Sequence, residues 1–202
     1  MARVGLSRPY VAKYAEDGSG KVSYSDGMRF AKAVSVGFSL DSSDDNPLYG
    51  DNGIAENSKE FTGGKLIVGI TELDFDMAAL IYGLEVEDIT LAAADSPKGK
   101  KISFGADMEA PYIGFAVIAK KRVNGTDKYM AVIFKKTQFS LLSDDYETQG
   151  KTISWKTPSL EATVMRDDSN KHEWRIWAEF DTEAAAEAYI KQMFGITDTP
   201  MA

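Results

Sequence analysis

The strongest structural signal in this 202-residue chain is a predicted β-hairpin near its centre. Residues 112–120 and 128–139 are rich in β-branched and aromatic side chains, which favour strands. Asn124-Gly125 lies between the two runs, and an Asn-Gly pair favours the tight turn of an antiparallel hairpin. Any fold of this chain therefore has to accommodate a long antiparallel strand pair.

Further strands are predicted on both sides of the hairpin from the alternation of apolar residues. They are expected at 28–40, 64–71, 85–93, 151–157, 160–166 and 173–180. Short connections between successive strands favour antiparallel pairing. The predicted fold class is mainly β (α+β), with two packed antiparallel sheets that form a sandwich or barrel with flanking helices.

Two helices are predicted, at 74–83 and 183–194. Each follows a residue whose side chain can cap its start, and each ends near a glycine suited to a left-handed backbone. These residues are Thr71 or Asp74 and Gly83 for the first helix, and Asp181 or Thr182 and Gly195 for the second. In the second helix, Ile190 and Phe194 share an apolar stripe and are expected to pack on a sheet.

The predicted organisation is one β-sandwich domain, residues 25–195, with an extension at each end. Residues 1–24 are expected to form a basic N-terminal arm, and residues 196–202 a short C-terminal tail. Within the domain, residues 41–60 form a polar excursion with six acids and one lysine, so that its charge is 1 − 6 = −5. Loops this long are usually functional or disordered. We expect the arm and this loop to order only on assembly.

The overall composition excludes several classes of function. The chain has 23 basic and 31 acidic residues, a formal net charge of −8, and no cysteine. Phosphate binding requires clustered positive charge, so a protein that grips nucleic acid is not expected. Without cysteine there are no disulfides or thiolate sites. Neither a membrane span nor a signal peptide is evident, which predicts synthesis in the cytoplasm without a membrane anchor.

No catalytic or metal-binding motif survives inspection. His172 is the single histidine, which excludes a histidine-based metal cluster and leaves a solvated turn residue as the favoured reading. Gly150-Lys151-Thr152 lacks the upstream glycine of a phosphate loop, because position 145 is Asp. A calcium loop starting at Asp44 fails at its fifth position, Leu48. No acid lies in an apolar context that suggests a raised pKa, so we expect no enzyme activity, no metal and no cofactor.

Six segments have an order and spacing typical of a known family. They are Pro47-Leu48-Tyr49-Gly50-Asp51-Asn52-Gly53, residues 63–73, 80–83, 111–115, 128–134 and 157–163. In these segments the chain resembles the major tail proteins of phages with long non-contractile tails. The likeness extends over most of 28–194. It does not extend to 84–110, where a strand at 85–93 and a basic turn at 98–101 are predicted.

This resemblance implies a tail-tube-like fold and a structural role in the virion. Six copies would close into a ring, and rings assembled in the host cytoplasm would stack into the tail tube. The implied partners are other copies of the chain, the tape-measure protein, and the tail-terminator and distal tail proteins. Genomic DNA would pass through the tube during delivery without specific binding. The alternative is a soluble β-sandwich module that binds carbohydrate or a phage partner through Tyr49 and the tryptophans.

Two interaction surfaces are predicted for the assembled state. We expect the acidic loop to contact a basic surface of a neighbouring subunit, with Leu48 and Tyr49 as apolar anchors. The loop residues are Asp44, Asp45, Leu48, Tyr49, Asp51, Asn52 and Glu56, and the basic residues are Arg3, Arg8, Lys98, Lys100 and Lys101.

Polar strand faces are candidates for the lining of a channel. They are Thr152, Ser154 and Lys156; Glu161 and Thr163; and Glu173, Arg175 and Glu179, with Trp177 as the apolar exception. Both signs of charge occur, which predicts a mixed lining of neutral or acidic character, although each face could equally lie outside.

Overall fold

The computed structural model describes residues 2–43, 46–50, 53–92, 96–123, 125–141, 148 and 157–197. The side chains of 2–3, 46–50 and 53–58 lie outside this description. Residues 151–156 of the predicted strand at 151–157, with the channel residues Thr152, Ser154 and Lys156, also lie outside it, as do residues 198–202 of the predicted tail.

The described chain is mainly β, as predicted, and contains two helices. Its elements in chain order are β1 Ala2–Glu16, β2 Val22–Arg29, β3 Ala33–Ser42, β4 Asn46–Gly50, β5 Gly53–Ser58, β6 Phe61–Ile70, α1 Phe75–Tyr82, β7 Val86–Thr90, β8 Lys98–Ile102, β9 Tyr112–Val123, β10 Thr126–Phe139, β11 Ser159–Met165, β12 Arg175–Phe180 and α2 Glu183–Met193.

Strand β10 organises the main sheet. The strand order is β2-β1-β9-β10-β11-β6-β3, all antiparallel, and β12 also pairs with β10. On one side β10 pairs with β9, while on the other its residues 129–134 pair with β12 and its residues 136–139 pair with β11. Eight strands are thereby joined in one hydrogen-bonded sheet.

The two ends of this sheet fold over one another as two leaves. Apolar residues of β1, β9 and β10, such as Phe115 and Phe134, meet Leu66, Val68 and Leu160 of the β3-β6-β11 leaf in one core. Helix α1 adds residues to the same core. The described residues thus form the predicted sandwich rather than a closed barrel.

A second core lies on the outer face of β1, β9 and β10. Ala116, Ile118 and Ile133 pack there against Ile190 and Phe194 of the α2 region. Alternate residues of β9 therefore enter different cores, and both sides of this leaf are buried. The prediction that Ile190 and Phe194 pack on a sheet is confirmed, since both are 0% exposed.

The caps of both helices agree with the sequence prediction. The Asp74 carboxylate accepts a hydrogen bond from the Met77 N–H at 2.8 Å, and Thr182 accepts one from the Ala185 N–H at 3.2 Å. Gly83 and Gly195 have φ values of 67° and 63°. That left-handed backbone stops each helix and favours glycine.

The N-terminal residues differ from the arm that the sequence predicts. Residues 2–16 form β1, which pairs with β9 on one side and β2 on the other. Tyr10, Val11 and Ala12 are at most 3% exposed, with Val11 in the core between the leaves and its neighbours under α2. Because three adjacent residues are buried on alternate faces, the sequence shows no alternation of apolar and polar residues there. The basic residues on either side also make the segment look like an exposed arm.

Two further segments also fold differently from expectation. The predicted basic turn at 98–101 is strand β8, which pairs with β7 in a separate two-stranded sheet. The predicted polar excursion at 41–60 contains another two-stranded sheet, β4–β5. The hairpin at Gly125 is confirmed, with φ of 82° at that glycine.

Replacement of Phe194 tests the second core. Phe194→Ala removes a ring that is 0% exposed and in contact with Tyr24, at 5.0 Å between ring centroids. We expect it to lower the free energy of unfolding by about 3–5 kcal/mol, measured by denaturant titration. The matched control is Phe104→Ala, because Phe104 is 63% exposed and should cost less than ~1 kcal/mol. Equal losses for the two variants would contradict this core.

Candidate assembly surfaces

The ends of the main sheet present strand edges. Strands β2 and β3 are terminal in the strand order, and β12 pairs with β10 alone in the described residues. An edge strand offers a row of backbone donors and acceptors that can pair with another chain. The described residues therefore present three strand edges at which another chain could pair.

Strand β3 is the least protected of these edges. It is ten residues long, contains no lysine, arginine or proline, and has one charged residue, Asp41. Val34 and Leu40 are 57% and 54% exposed. Soluble proteins usually protect such an edge with charge, proline or a covering element, so an edge with a single charge and two exposed apolar residues is a candidate contact surface.

A second exposed apolar area lies on β10 and β12. Trp177 is 53% exposed and pairs in register with Val132. The guanidinium of Arg175 lies 4.2 Å from the Trp177 ring centroid and 4.3 Å from that of Trp174. Both distances are within the range of cation–π interactions, so Arg175 is held between the two indoles.

The β7–β8 hairpin lies against α1. Lys100 pairs with Asp76 of α1 at 3.6 Å, and Lys101 pairs with Glu87 across the hairpin at 2.9 Å. Ile89, opposite Gly99, and Leu91 are exposed apolar residues. An isolated two-stranded sheet is marginally stable in water, so further contacts would stabilise it.

The predicted acidic loop is described only in part. Leu48 and Tyr49 lie in β4 and Glu56 in β5, where the backbone pairs Leu48 with Glu56. Asp44, Asp45, Asp51 and Asn52 lie outside the described residues. The role of the loop in contacts between subunits stays a prediction.

The predicted basic surface is divided between two places in the fold. Arg3 lies on β1, where its backbone pairs with Lys121. Arg8, also on β1, forms ion pairs with Glu183, at 3.2 Å, and with Glu187 of α2.

The lysines of this predicted surface lie on β8 instead. Lys98, Lys100 and Lys101 follow one another along that strand, and the last two have acidic partners within the chain. Part of the positive charge of this strand is therefore compensated within the chain itself.

A cluster of charges surrounds the central hairpin turn. The Asp127 carboxylate accepts hydrogen bonds from Arg122 Nε, at 2.8 Å, and contacts Lys120 Nζ at 2.6 Å. Hydrogen bonds from Arg122 and then Lys120 lower the pKa of Asp127 from 3.8 to about 2. Glu179, a predicted channel residue, pairs with Lys121. These strand ends thus carry paired charges of both signs.

The Asp127 pairs predict a pH dependence of stability. Because the pKa of Asp127 is about 2 in the folded protein and 3.8 ordinarily, its carboxylate stabilises the folded state above pH ~4. That contribution declines as the pH falls and is lost below pH ~2. We expect Asp127→Asn to lower the melting temperature slightly at pH 7, by an amount that salt reduces.

The measurement is the melting-temperature difference between wild type and Asp127→Asn from pH 7 to pH 2. The control is Asp107→Asn, at an exposed position in the connection before β9. A difference that stays constant down to pH 2 would contradict the assigned pairing.

Glu161 and Thr163, another predicted channel face, lie on the outer side of the β3-β6-β11 leaf. Both are exposed, while Leu160, Ala162 and Val164 between and beside them are buried. Glu161 pairs with Lys65 of β6 at 2.8 Å. This face is polar with compensated charge, which fits the mixed character predicted from the sequence.

Asp167 forms part of a buried ionic cluster, defined here as Lys135, Asp167 and Glu173. Lys135 and Asp167 are 7% and 1% exposed and form an ion pair, and Lys135 Nζ also lies 2.9 Å from Glu173 Oε2. Burial lowers the pKa of Lys135, but its hydrogen bonds to Asp167 and Glu173 outweigh burial and raise it. The burial of Asp167 beside Lys135 is not evident from the sequence, in which Asp167 lies in a polar turn.

A neighbouring group of side chains holds the 166–174 turn against the sheet end. Lys136 Nζ lies 2.6 Å from Asp168 Oδ2 and 4.3 Å from the Tyr112 ring centroid. The Tyr14 hydroxyl donates to Asp168 at 2.8 Å, and burial raises the pKa of Tyr14. His172, in this turn, is exposed, as predicted.

The described residues contain neither a metal-binding cluster nor a membrane-spanning helix. The described side chains contain no group of three or more histidine, cysteine, aspartate or glutamate residues placed to hold a metal ion. Neither α1 nor α2, the helices in the described ranges, is long and apolar enough to span a membrane. Comparisons with protein-family models and with curated proteins found no match for this chain.

Proposed function

We propose that this protein is the tube subunit of a long, non-contractile phage tail. The observation that carries the proposal is a β-sandwich whose edge strand β3 is long, carries a single charged residue and has exposed apolar side chains, with further edges at β2 and β12. The resemblance of most of residues 28–194, other than 84–110, to major tail proteins supports it. In this role, six copies form a ring and rings stack into a tube.

A ring can form when unlike edges of successive copies are in contact. When one surface of a subunit binds a different surface of the next, the assembly is a closed ring or an open helix, depending on the rotation per step. An edge such as β3 can extend into an edge of the neighbouring copy, so that the backbone groups of both become paired. Exposed apolar residues such as Val34, Leu40 and Trp177 are then removed from water.

A conduit for DNA should not hold the DNA. The formal net charge of −8 per subunit and the internal pairing of cations such as Lys65 and Lys121 leave little positive charge to attract phosphates. The proposed partners are further copies, a tape-measure protein within the tube, and tail-terminator and distal tail proteins at its ends. The place of action is the virion.

A binding module for carbohydrate is the second candidate. Trp177 and Tyr112 are 53% and 41% exposed, and aromatic rings are common in sugar-binding surfaces. Tyr49, which the sequence also suggests for this role, lies in β4.

Charge placed on the β3 edge tests the assembly proposal. We expect the purified wild type to form rings or tubes at high concentration in negative-stain images. The double variant Val34→Lys/Leu40→Lys should stay monomeric in sedimentation velocity with an unchanged circular dichroism spectrum, because lysine protects an edge. The control is Leu141→Lys, at another exposed leucine, which should assemble normally. A wild type that stays monomeric and binds glycans would favour the second candidate.

Deletion of residues 44–56 tests the contribution of the acidic loop. If the loop bridges adjacent rings, its loss should abolish tubes while leaving folded monomers, whose spectrum lacks only the contribution of the β4–β5 sheet. Electron microscopy at matched concentrations provides the measurement. Tubes of normal length and frequency from the deletion variant would show that the loop is dispensable.

A further inference from the structure

The buried ionic cluster lies where the main sheet divides. Between Phe134 and Thr137 the register of β10 against β9 shifts by one residue, which places a β-bulge at Lys135-Lys136. Bulges re-aim side chains, and here Lys135 is 7% exposed although Lys is rarely buried. Its backbone is fixed as well, because its N–H donates to Trp174 O at 3.1 Å and its carbonyl accepts from the Tyr24 hydroxyl at 2.9 Å.

The carboxylate that meets Lys135 is also fixed in place. The Asp167 N–H donates to Glu173 O at 2.9 Å, which closes the turn, and Asp167 Oδ1 accepts from the Ser169 hydroxyl at 2.7 Å. Oδ2 is left facing Lys135 Nζ, in an ion pair within the protein interior. An amine and a carboxyl group are therefore in contact, oriented and shielded from water.

We propose that Lys135 and Asp167 condense spontaneously to an isopeptide bond. Lys135 Nζ, as the free amine, attacks Cγ of the protonated Asp167 carboxyl group, and an N–C bond forms. A C–O bond then breaks and one water molecule leaves. The ion pair loses one positive and one negative charge and becomes a neutral amide, so atoms and charge balance without any co-reactant.

Glu173 is placed to transfer the protons. Its Oε2 lies 2.9 Å from Lys135 Nζ, within reach to accept a proton from nitrogen and return it to the departing oxygen. Its side chain is 39% exposed, so it links the buried pair to solvent. Glu173 is unchanged at the end of the reaction.

Three physical effects favour this condensation. The amine and the carboxyl group are held in contact within one chain, so each has a high effective concentration at the other. The product removes two buried charges, whose desolvation is costly even in a pair. The raised pKa of Lys135 makes the free amine a minor form, but one passage through that form suffices, because a buried amide is protected from hydrolysis.

Mass spectrometry of the full chain tests the proposal. The denatured wild type should be lighter than its sequence by one water molecule, after its N-terminal residue has been identified. Trypsin should release a branched fragment that joins residues 129–136 to 167–171, with cleavage after Lys135 blocked. The Lys65–Glu161 pair, with 2.8 Å between its charged atoms but half exposed, is the internal control and should stay unlinked.

Variants separate the roles of the three residues. Glu173→Gln should slow the loss of water at least tenfold, whereas Lys135→Arg keeps the positive charge and should show no loss. The Glu173 side chain is partly exposed, so its variant should fold even if the buried Lys135→Arg does not.

The wild type alone is sufficient to overturn the proposal. A mass equal to that of the sequence, with separate linear fragments 129–135 and 167–171, shows that the cluster is a permanent ion pair. A loss of water located within linear fragment 167–171 indicates a cyclic imide at an aspartate and also overturns it. The measurement does not depend on tube formation, so its outcome is distinguishable from the failure of the proposed function.

Discussion

The hydrogen bonding of β10 is the constraint on which the rest of the fold depends. Along one side β10 is paired with β9, and along the other it is shared between β12 and β11. The change of partner coincides with the bulge at Lys135-Lys136, which increases local twist and bends the strand. The strands β1, β9 and β10 can then lie under α2, while β11, β6 and β3 fold over as the second leaf. One apolar core forms between the leaves and the other beneath α2.

Much of this fold can be predicted from local sequence patterns. Leu66, Val68 and Ile70 alternate as a half-buried strand should, and all three are 0% exposed. Asp74 and Gly83 mark the ends of α1 because capping is a local interaction. β1 escapes prediction because Tyr10, Val11 and Ala12 are buried on both faces of its leaf, and a strand covered on both sides has no alternation to detect.

The candidate surfaces are harder to predict, since they depend on contacts distant in sequence. Val34 and Phe38 lie on the same strand, but Phe38 packs against the core while Val34 is exposed. The exposure of Val34 follows from the position of β3 at the end of the sheet. Asp167 looks like part of a solvated turn until the turn folds against β10 and covers it. Arg8 and Lys101 look like free cations until Glu183 and Glu87 are placed beside them. The number of cations counted along the sequence is therefore larger than the number left unpaired at the surface.

The shared strand also determines how the subunit can come apart. Each leaf of the sandwich ends on β10, so separation of either leaf removes hydrogen bonds from the strand that supports the other. Partial opening that spares one leaf is thereby penalised, and the main sheet should behave as a single cooperative unit. The slowest amide exchange is expected at the C-terminal half of β10. Faster exchange is expected in the β7–β8 sheet, which no strand ladder joins to either leaf in the described residues. In the proposed assembly, the main sheet would therefore act as one rigid unit, and any adjustment between copies would fall on the small two-stranded sheets.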